Sequence, residues 1–383
     1  MIPSILDTDL YKFTQAQAVA EKFPRAVARY QLFNRDPDRK ITRAMLDSIQ
    51  VEINHAGTLR LTCDQRDWLY KTCRYFKPWF LSMIKDARLD PGQVFISDDG
   101  NIIVEGPWFS AILWEVPLLA IISEVCMTWD KSGATEMHIL DEAGEKTKEK
   151  ALALMNADCK FADFGTRRRF SLLVHDRVVS ILSHFGGCIG TSNMHLARKH
   201  GIKPIGTMAH EWVQGVSGLV GLRHANRYAM DAWQDVYRGK LGIALTDTFG
   251  SRAFWNDFDG AQARMYDGVR QDSGDPAVFA ERAIAAYVER GIDPRTKTIV
   301  FSDGLDVVKA VSLQKRFGKR VKVIFGIGTN LTCDVDGHPP MNIVVKLTHI
   351  DGVPVVKLSD SPGKVVGDDE AVRVARWTFG VKG

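Results

Sequence analysis

Apolar and polar positions change their rhythm once along this chain. In the first third, "RAVARYQLFNR" alternates with the period of two of a half-buried strand, and "TLRLT" reads as another. "GQVFISDDGNIIVEG" predicts a β-hairpin, because Asp99-Gly100 suits a turn that needs positive φ. Helices are predicted between them: "DTDLYKFTQAQAVAEKF", with Asp7 and Asp9 as candidate caps, and "DQRDWLYKTCRYF", with Asp64 as its N-cap. From about residue 130, short apolar strands alternate with amphipathic helices. "KPIGTMAHE", "GIALTDTFGS", "YDGVRQDSGDP", "TIVFSDGLD" and "VKVIFGIGTNL" each end an apolar strand in small, acidic or hydroxyl residues. "DPAVFAERAIAAYVERGI" and "GLDVVKAVSLQKRFG" supply helices between them. This alternation predicts parallel strands joined by right-handed crossovers, an α/β fold. A doubly wound sheet and a (β/α) barrel both fit. At least five polar strand ends favour the barrel, since an open sheet focuses ligands at one switch point. The tail "VVKLTHIDGVPVVKLSD" predicts a second hairpin, turning at Asp351-Gly352, whose strands return to the first third. The expected division is an α+β domain of residues 1–130 with 340–383, and a barrel domain of residues 131–339.

One stretch, "WFSAILWEVPLLAIISEVCMTW" (108–129), approaches the apolar length of a membrane span. Glu115, Pro117 and Glu124 interrupt it, which predicts a buried helix and no membrane association. Apolar residues make up 45% of 383, enough for a large core. Fifty basic against forty-six acidic residues leave a charge of +4, too balanced for a nucleic-acid coat. The six cysteines form neither a C-x-x-C pair nor a cluster with histidines, so reduced thiols in a cytoplasm are expected. "MIPSILDTDLYKF" lacks the basic and apolar regions of a signal peptide.

Chemistry gathers at the strand ends. In "FGIGTNL", Gly326 and Gly328 let backbone N–H groups approach a ligand, and Thr329 and Asn330 add donors. A phosphate site and a plain glycine turn both fit. "FSDGLD" and "RQDSGDP" place Asp303, Gly304, Asp306, Asp272 and Asp275 at strand ends. Asp275 and Asp306 suit helix capping; Asp272 and Asp303 suit Mg²⁺ or sugar hydroxyls. His210 in "GTMAHEW" is a candidate general base, metal ligand or phosphoryl acceptor, with Asp247 to orient it. "ADFGTRRRFS" places Arg167, Arg168 and Arg169 directly after Phe164-Gly165-Thr166. Neighbours on a strand cannot all face one way. One or two therefore fork a carboxylate or phosphate while Phe164 stacks a flat ring, and another serves structure. The motifs offer no strand-end lysine, which argues against an aldolase or decarboxylase barrel.

"DTDLYKFTQ", "ADFGTRRRFS", "GTSNMHLA", "GTMAHEW", "TDTFGS", "RQDSGDP", "FSDGLD" and "FGIGTNL" occur here in one order. In this the chain resembles the nicotinate phosphoribosyltransferase family over almost its whole length. The resemblance implies an irregular (β/α) barrel beside the α+β domain. It implies formation of nicotinate mononucleotide and pyrophosphate from nicotinate and phosphoribosyl pyrophosphate (PRPP). ATP hydrolysis would be coupled through a phosphohistidine, with Mg²⁺ as cofactor, in a homodimer with shared sites. By the same resemblance Phe164 stacks one face of the pyridine, and Tyr11 of the partner subunit stacks the other. Arg167 is the arginine beside the ring, and Arg270 is a second arginine at the site. His210 is the phosphorylated residue. Asp272 and Asp303 contact ribose and metal; the metal ligands themselves stay open. Gly304, Gly326, Gly328, Thr329 and Asn330 hold the 5′-phosphate. The rival is the related nicotinamide phosphoribosyltransferase, which resembles this chain but carries an aspartate in the segment matching "GTSNMH". Here Ser192 and Asn193 stand there and would welcome an acid.

Overall fold

The two rhythms build two sheets. Residues 1–36, 38–129 and 135–381 are described by the computed structural model, so the expected boundary at 130/131 lies outside the described residues. Among these, the strands are β1 (Val27–Asn34), β2 (Val94–Ile96), β3 (Ile102–Pro107), β4 (Phe161–Asp163), β5 (Cys188–Thr191), β6 (Ile243–Leu245), β7 (Gly268–Gln271), β8 (Thr298–Phe301), β9 (Lys322–Ile327), β10 (Ile343–Ile350) and β11 (Val353–Pro354). The antiparallel sheet runs β11-β10-β1-β3-β2. The predicted tail hairpin therefore joins the N-terminal sheet, through β10 against β1 with Gln31 opposite Lys346. Gly100 and Gly352 take the positive φ their turns require.

The second sheet is parallel and runs β5-β4-β9-β8-β7-β6. An irregular segment spans its two edges. Beside β5, Ile205 N–H donates to Thr191 O at 2.8 Å, and Thr191 N–H donates to Lys203 O at 3.2 Å. Beside β6, the Thr207 hydroxyl donates to Ile243 O at 3.3 Å. The result is an irregular barrel. "KPIGTMAHE" does not form the expected regular strand; only Pro204 makes a bridge, to Thr191. Proline has no N–H to give a ladder.

Two further expectations in the first third are corrected. Residues 58–62 form no strand. Thr62, not Asp64, caps the helix Cys63–Thr72, because Gln65 three positions on closes a reciprocal capping box with it. The apolar stretch ends in the helix Glu115–Trp129, most of whose residues are buried. Its two acids have partners: the buried Glu115 pairs with Lys12, and the partly buried Glu124 accepts the Leu172 N–H at 3.0 Å.

A wall of aromatics fixes the helix His210–Val220. Trp108 and Trp212 stack at 6.1 Å. Gly215 makes this approach possible, since a Cβ there would lie 2.3 Å from the Trp108 ring. That packing sets the position of His210 at the start of the helix.

Candidate active site

A cavity of about 590 Å³ opens at the carboxyl ends of the parallel strands, and β10 forms one of its walls. The arginine run divides there. It does not continue β4; Thr166–Arg168 form a 3-10 turn. Arg167 and Arg168 line the cavity. Arg169 turns away and is fully buried, where it forks Asp7 with two bonds of 2.8 Å and donates to Met1 O at 3.1 Å. Asp7 is thus a buried ion-pair partner rather than a cap. Despite the upward push of burial, Arg169 and Asn193 hold its carboxyl below the ordinary value. Arg167 keeps looser partners, with Asp9 and Glu115 each at 3.8 Å.

Ser192 and Asn193 do not reach the cavity. The Ser192 hydroxyl donates to Asp9 at 2.6 Å, and the Asn193 amide donates to Asp7 at 2.6 Å. Leu10 N–H also donates to Ser192 O, at 2.8 Å. These bonds clip the N-terminal segment onto the end of β5. Tyr11 of this same chain consequently lies beside Arg167, whose guanidinium is 5.9 Å over its ring, and lines a small chamber next to the cavity. Asp9 holds the N-cap position of the helix Leu10–Lys22, but its side chain makes no capping bond.

Phe164 lines the cavity beside Gly326 and Gly328. A Cβ on Gly326 would lie 2.4 Å from the Phe164 ring, so this glycine makes room for the aromatic platform as well as fronting the cavity. Gly326→Ala is expected to displace the ring and raise the KM for a stacked substrate several-fold while binding of inorganic phosphate changes little. Equal losses in both titrations would contradict this. Thr329, Asn330 and Gly304 also line the cavity, and Gly304 takes φ +53. Asp275 and Asp306 cap the helices Pro276–Glu289 and Val307–Phe317, as expected.

His210 is nearly buried between two carboxylates. Its Nε2 lies 3.0 Å from Asp272 and 3.6 Å from Asp247, and its Nδ1 lies 3.1 Å from the Thr248 hydroxyl. Asp272, rather than the expected Asp247, is thus the nearer orienting group. Neither carboxylate can donate, so Nε2 carries the ring proton and Nδ1 a lone pair; the tautomer is assigned from these partners. Burial, aided by the Lys357 cation, brings His210 down to about 4 despite both aspartates. At neutral pH it is therefore an uncharged imidazole. Asp272 also accepts from Arg270 at 3.1 Å and from the Ser302 hydroxyl at 2.8 Å. Against the upward push of burial, Arg270 and His210 hold its carboxyl well below the ordinary range.

The barrel motifs lack a lysine, but the tail brings three to the cavity: Lys346, Lys357 and Lys364. Lys364 pairs with Asp303 and donates to Asp272 O at 2.8 Å. Lys357 lies 3.5 Å from Asp247. Burial, with Lys357 nearby, lowers Lys346 to about 8. The polar positions of the "VVKLTH" alternation were the available signal, since Lys346 stands between the buried Val345 and Leu347.

The cavity thus joins an aromatic platform, anion forks and strand-end carboxylates, and through Asp272 it adjoins the small chamber that His210 lines. The model of the nicotinate phosphoribosyltransferase family matches residues 159–382, and that of its N-terminal domain matches residues 6–123. The chain belongs to the nicotinate phosphoribosyltransferase family. The nicotinate phosphoribosyltransferase of Methanosarcina mazei is 46% identical over all of this chain and 99% of its own length. That of Chromohalobacter salexigens is 43% identical over 98% of each. The crystal structure of the nicotinate phosphoribosyltransferase from Porphyromonas gingivalis superposes with a TM-score of 0.94 at 39% identity, covering 99% of this chain and all of that one. Family membership thus extends over both sheets and includes every motif of the cavity.

Proposed function

We propose that this chain joins nicotinate to PRPP, forming nicotinate mononucleotide and pyrophosphate, and that ATP hydrolysis is coupled through phosphorylation of His210. The observation that carries the reading is the placement of His210 between Asp272 and Asp247, in a small chamber that shares Arg167, Arg270 and Asp272 with the cavity lined by Phe164 and the phosphate-loop glycines. The nicotinate ring nitrogen has a free lone pair at neutral pH, so its attack on ribose C1 needs no general base. Charge on the ribose and on departing pyrophosphate must be stabilised, and the preorganised carboxylates and cations of the rim suit that task. In the coupled step the imidazole lone pair forms an N–P bond as the bond between the γ-phosphorus and ADP oxygen breaks.

The donor set fits a divalent cation. One oxygen of Asp247, one of Asp272 and a His210 nitrogen lie within 4.8 Å of one another, and Asp247 Oδ1 has no hydrogen-bond partner. Asp247 and Asp272 would hold Mg²⁺, with phosphate oxygens completing its shell. When bound, Mg²⁺ neutralises phosphate charge. A homodimer in the cytoplasm completes the proposal.

Nicotinate mononucleotide formation from nicotinate and PRPP, measured with and without ATP and with nicotinamide in place of nicotinate, tests the reading. Product is expected from nicotinate, stimulated by ATP and abolished by chelation of Mg²⁺. Product from nicotinamide at an equal or higher rate would favour the related nicotinamide enzyme instead.

A further inference from the structure

The two oxygens of Asp247 have unlike surroundings. Oδ2 accepts from the Ser273 hydroxyl at 2.5 Å, and the Ser359 hydroxyl and the Lys357 ammonium each lie 3.5 Å from it. Oδ1 has no hydrogen-bond partner, although the residue is 1% exposed. It faces His210, whose Nε2 lies 3.6 Å away. Asp272 faces the same nitrogen, but its own Oδ1 already accepts from Arg270 and Ser302. A buried carboxylate oxygen is nearly always bonded, so a bare one beside the histidine calls for a reason.

The Ser273 hydroxyl has a fixed polarity. Asp360 N–H donates to it at 3.0 Å. An N–H only donates and a carboxylate only accepts, so the hydroxyl proton points at Asp247. Ser273 is 2% exposed, and its turn is pinned twice. From the barrel, the Gln271 amide donates to Ser273 O at 3.0 Å and to Gly274 O at 3.1 Å. From the tail, the Ser361 hydroxyl accepts Gly274 N–H at 3.1 Å, and the Asp360 carboxylate accepts Ser251 N–H at 2.8 Å. The same tail reaches the other side of the histidine. Leu358 N–H donates to Thr248 O at 2.8 Å, and the Thr248 hydroxyl is the partner of His210 Nδ1.

We infer that Ser273, locked in place by tail residues 357–361, is a positioning residue for the phosphorylation of His210. It occupies one oxygen of Asp247 and so presents the other, bare, to the imidazole. The inference rests on the proposed function and deepens it. As Nδ1 forms the N–P bond and the bond from the γ-phosphorus to ADP oxygen breaks, the ring keeps its Nε2 proton and becomes a cation. An oxygen with no other donor answers that new charge more fully than one already shared. Without the Ser273 hydroxyl, the carboxyl is free to turn its bare oxygen away from the ring and toward the Lys357 ammonium.

The test follows phosphoryl uptake from γ-labelled ATP in a single turnover, for wild type, Ser273→Ala and Ser273→Thr. Thermal unfolding confirms that each variant folds. Ser273→Ala is expected to slow uptake at saturating ATP about tenfold or more, while the half-saturating ATP concentration stays within about twofold. Mononucleotide formation without ATP should fall far less. Ser273→Thr keeps the hydroxyl and should recover most of the rate. Uptake by Ser273→Ala at the wild-type rate overturns the inference, and so does an equal fall in uptake and in the reaction without ATP, which would mark a merely structural role. Should Ser273→Ala fail to fold, Ser273→Cys, close to serine in size and only a weak donor, decides in its place. Wild type that takes up no label overturns the phosphohistidine and this inference with it. Wild type that is labelled beside an unchanged variant overturns this inference alone.

Discussion

Arg169→Met is expected to destabilise the fold by about 3–5 kcal/mol, whereas Arg167→Ala leaves stability within about 1 kcal/mol. The two arginines stand two positions apart in one run, and the difference is one of environment. Arg169 is fully buried and answers Asp7, itself fully buried, with two bonds of 2.8 Å. Removing it leaves a carboxylate without its counter-charge in a dry interior. It also frees the segment that carries Tyr11, because Asp7 anchors that segment to the barrel. Arg167 is about one third exposed and has no partner closer than 3.8 Å. Its loss costs the fold little, but it should raise the nicotinate KM by the equivalent of about 2–5 kcal/mol, the usual cost of losing a charged contact in a partly buried site. Urea unfolding and steady-state kinetics on both variants separate these outcomes. Similar stability losses in the two would show that the division of the run is wrong. The sign of the pH dependence follows from Asp7. Its folded value is lowered, so its contribution is present above the unfolded value of about 3.9 and is lost as pH falls through the folded one.

His210→Ala should take up no phosphoryl group from γ-labelled ATP, and the ATP-dependent increase in mononucleotide formation should vanish with it. The effect is all-or-none because no other histidine meets the same conditions. His175 is buried against Asp163, away from the cavity, and His200 pairs with Asp176 on an outer helix. Formation of mononucleotide without ATP should fall far less, since the ring nitrogen needs no base. Acid-labile, base-stable label on wild type, mapped to His210 by mass spectrometry, is the positive result. Label of equal intensity on wild type and variant would remove the phosphohistidine from the mechanism.

Local signals in the sequence were enough for four of the five predicted barrel strands, both hairpins and the caps at Asp275 and Asp306. Each rests on a period, a turn dipeptide or a cap that acts within a few residues. What failed depended on distant partners. "TLRLT" had the strand pattern but no neighbouring strand to pair with. Ser192 and Asn193 looked like free donors, yet Asp9 and Asp7, far away in sequence, claim them. For Gly326 the sequence offered one reason to lack a Cβ, and the Phe164 ring beside it adds a second that no local pattern shows. The cavity lysines were invisible for a similar reason. A search for lysines at barrel strand ends cannot find side chains supplied by the returning tail.

That return has a temporal consequence. Lys346, Lys357 and Lys364 all come from the segment after β9, and β10 must pair with β1 before they reach the cavity. The ribosome releases the chain from its N-terminus, so the barrel strands emerge and begin to fold while this segment is still inside the exit tunnel. A nascent chain can hold its arginines and aspartates in place and still lack the lysine side of its mouth. Competence therefore waits for this segment to emerge, and β1 keeps one edge unpaired until β10 reaches it.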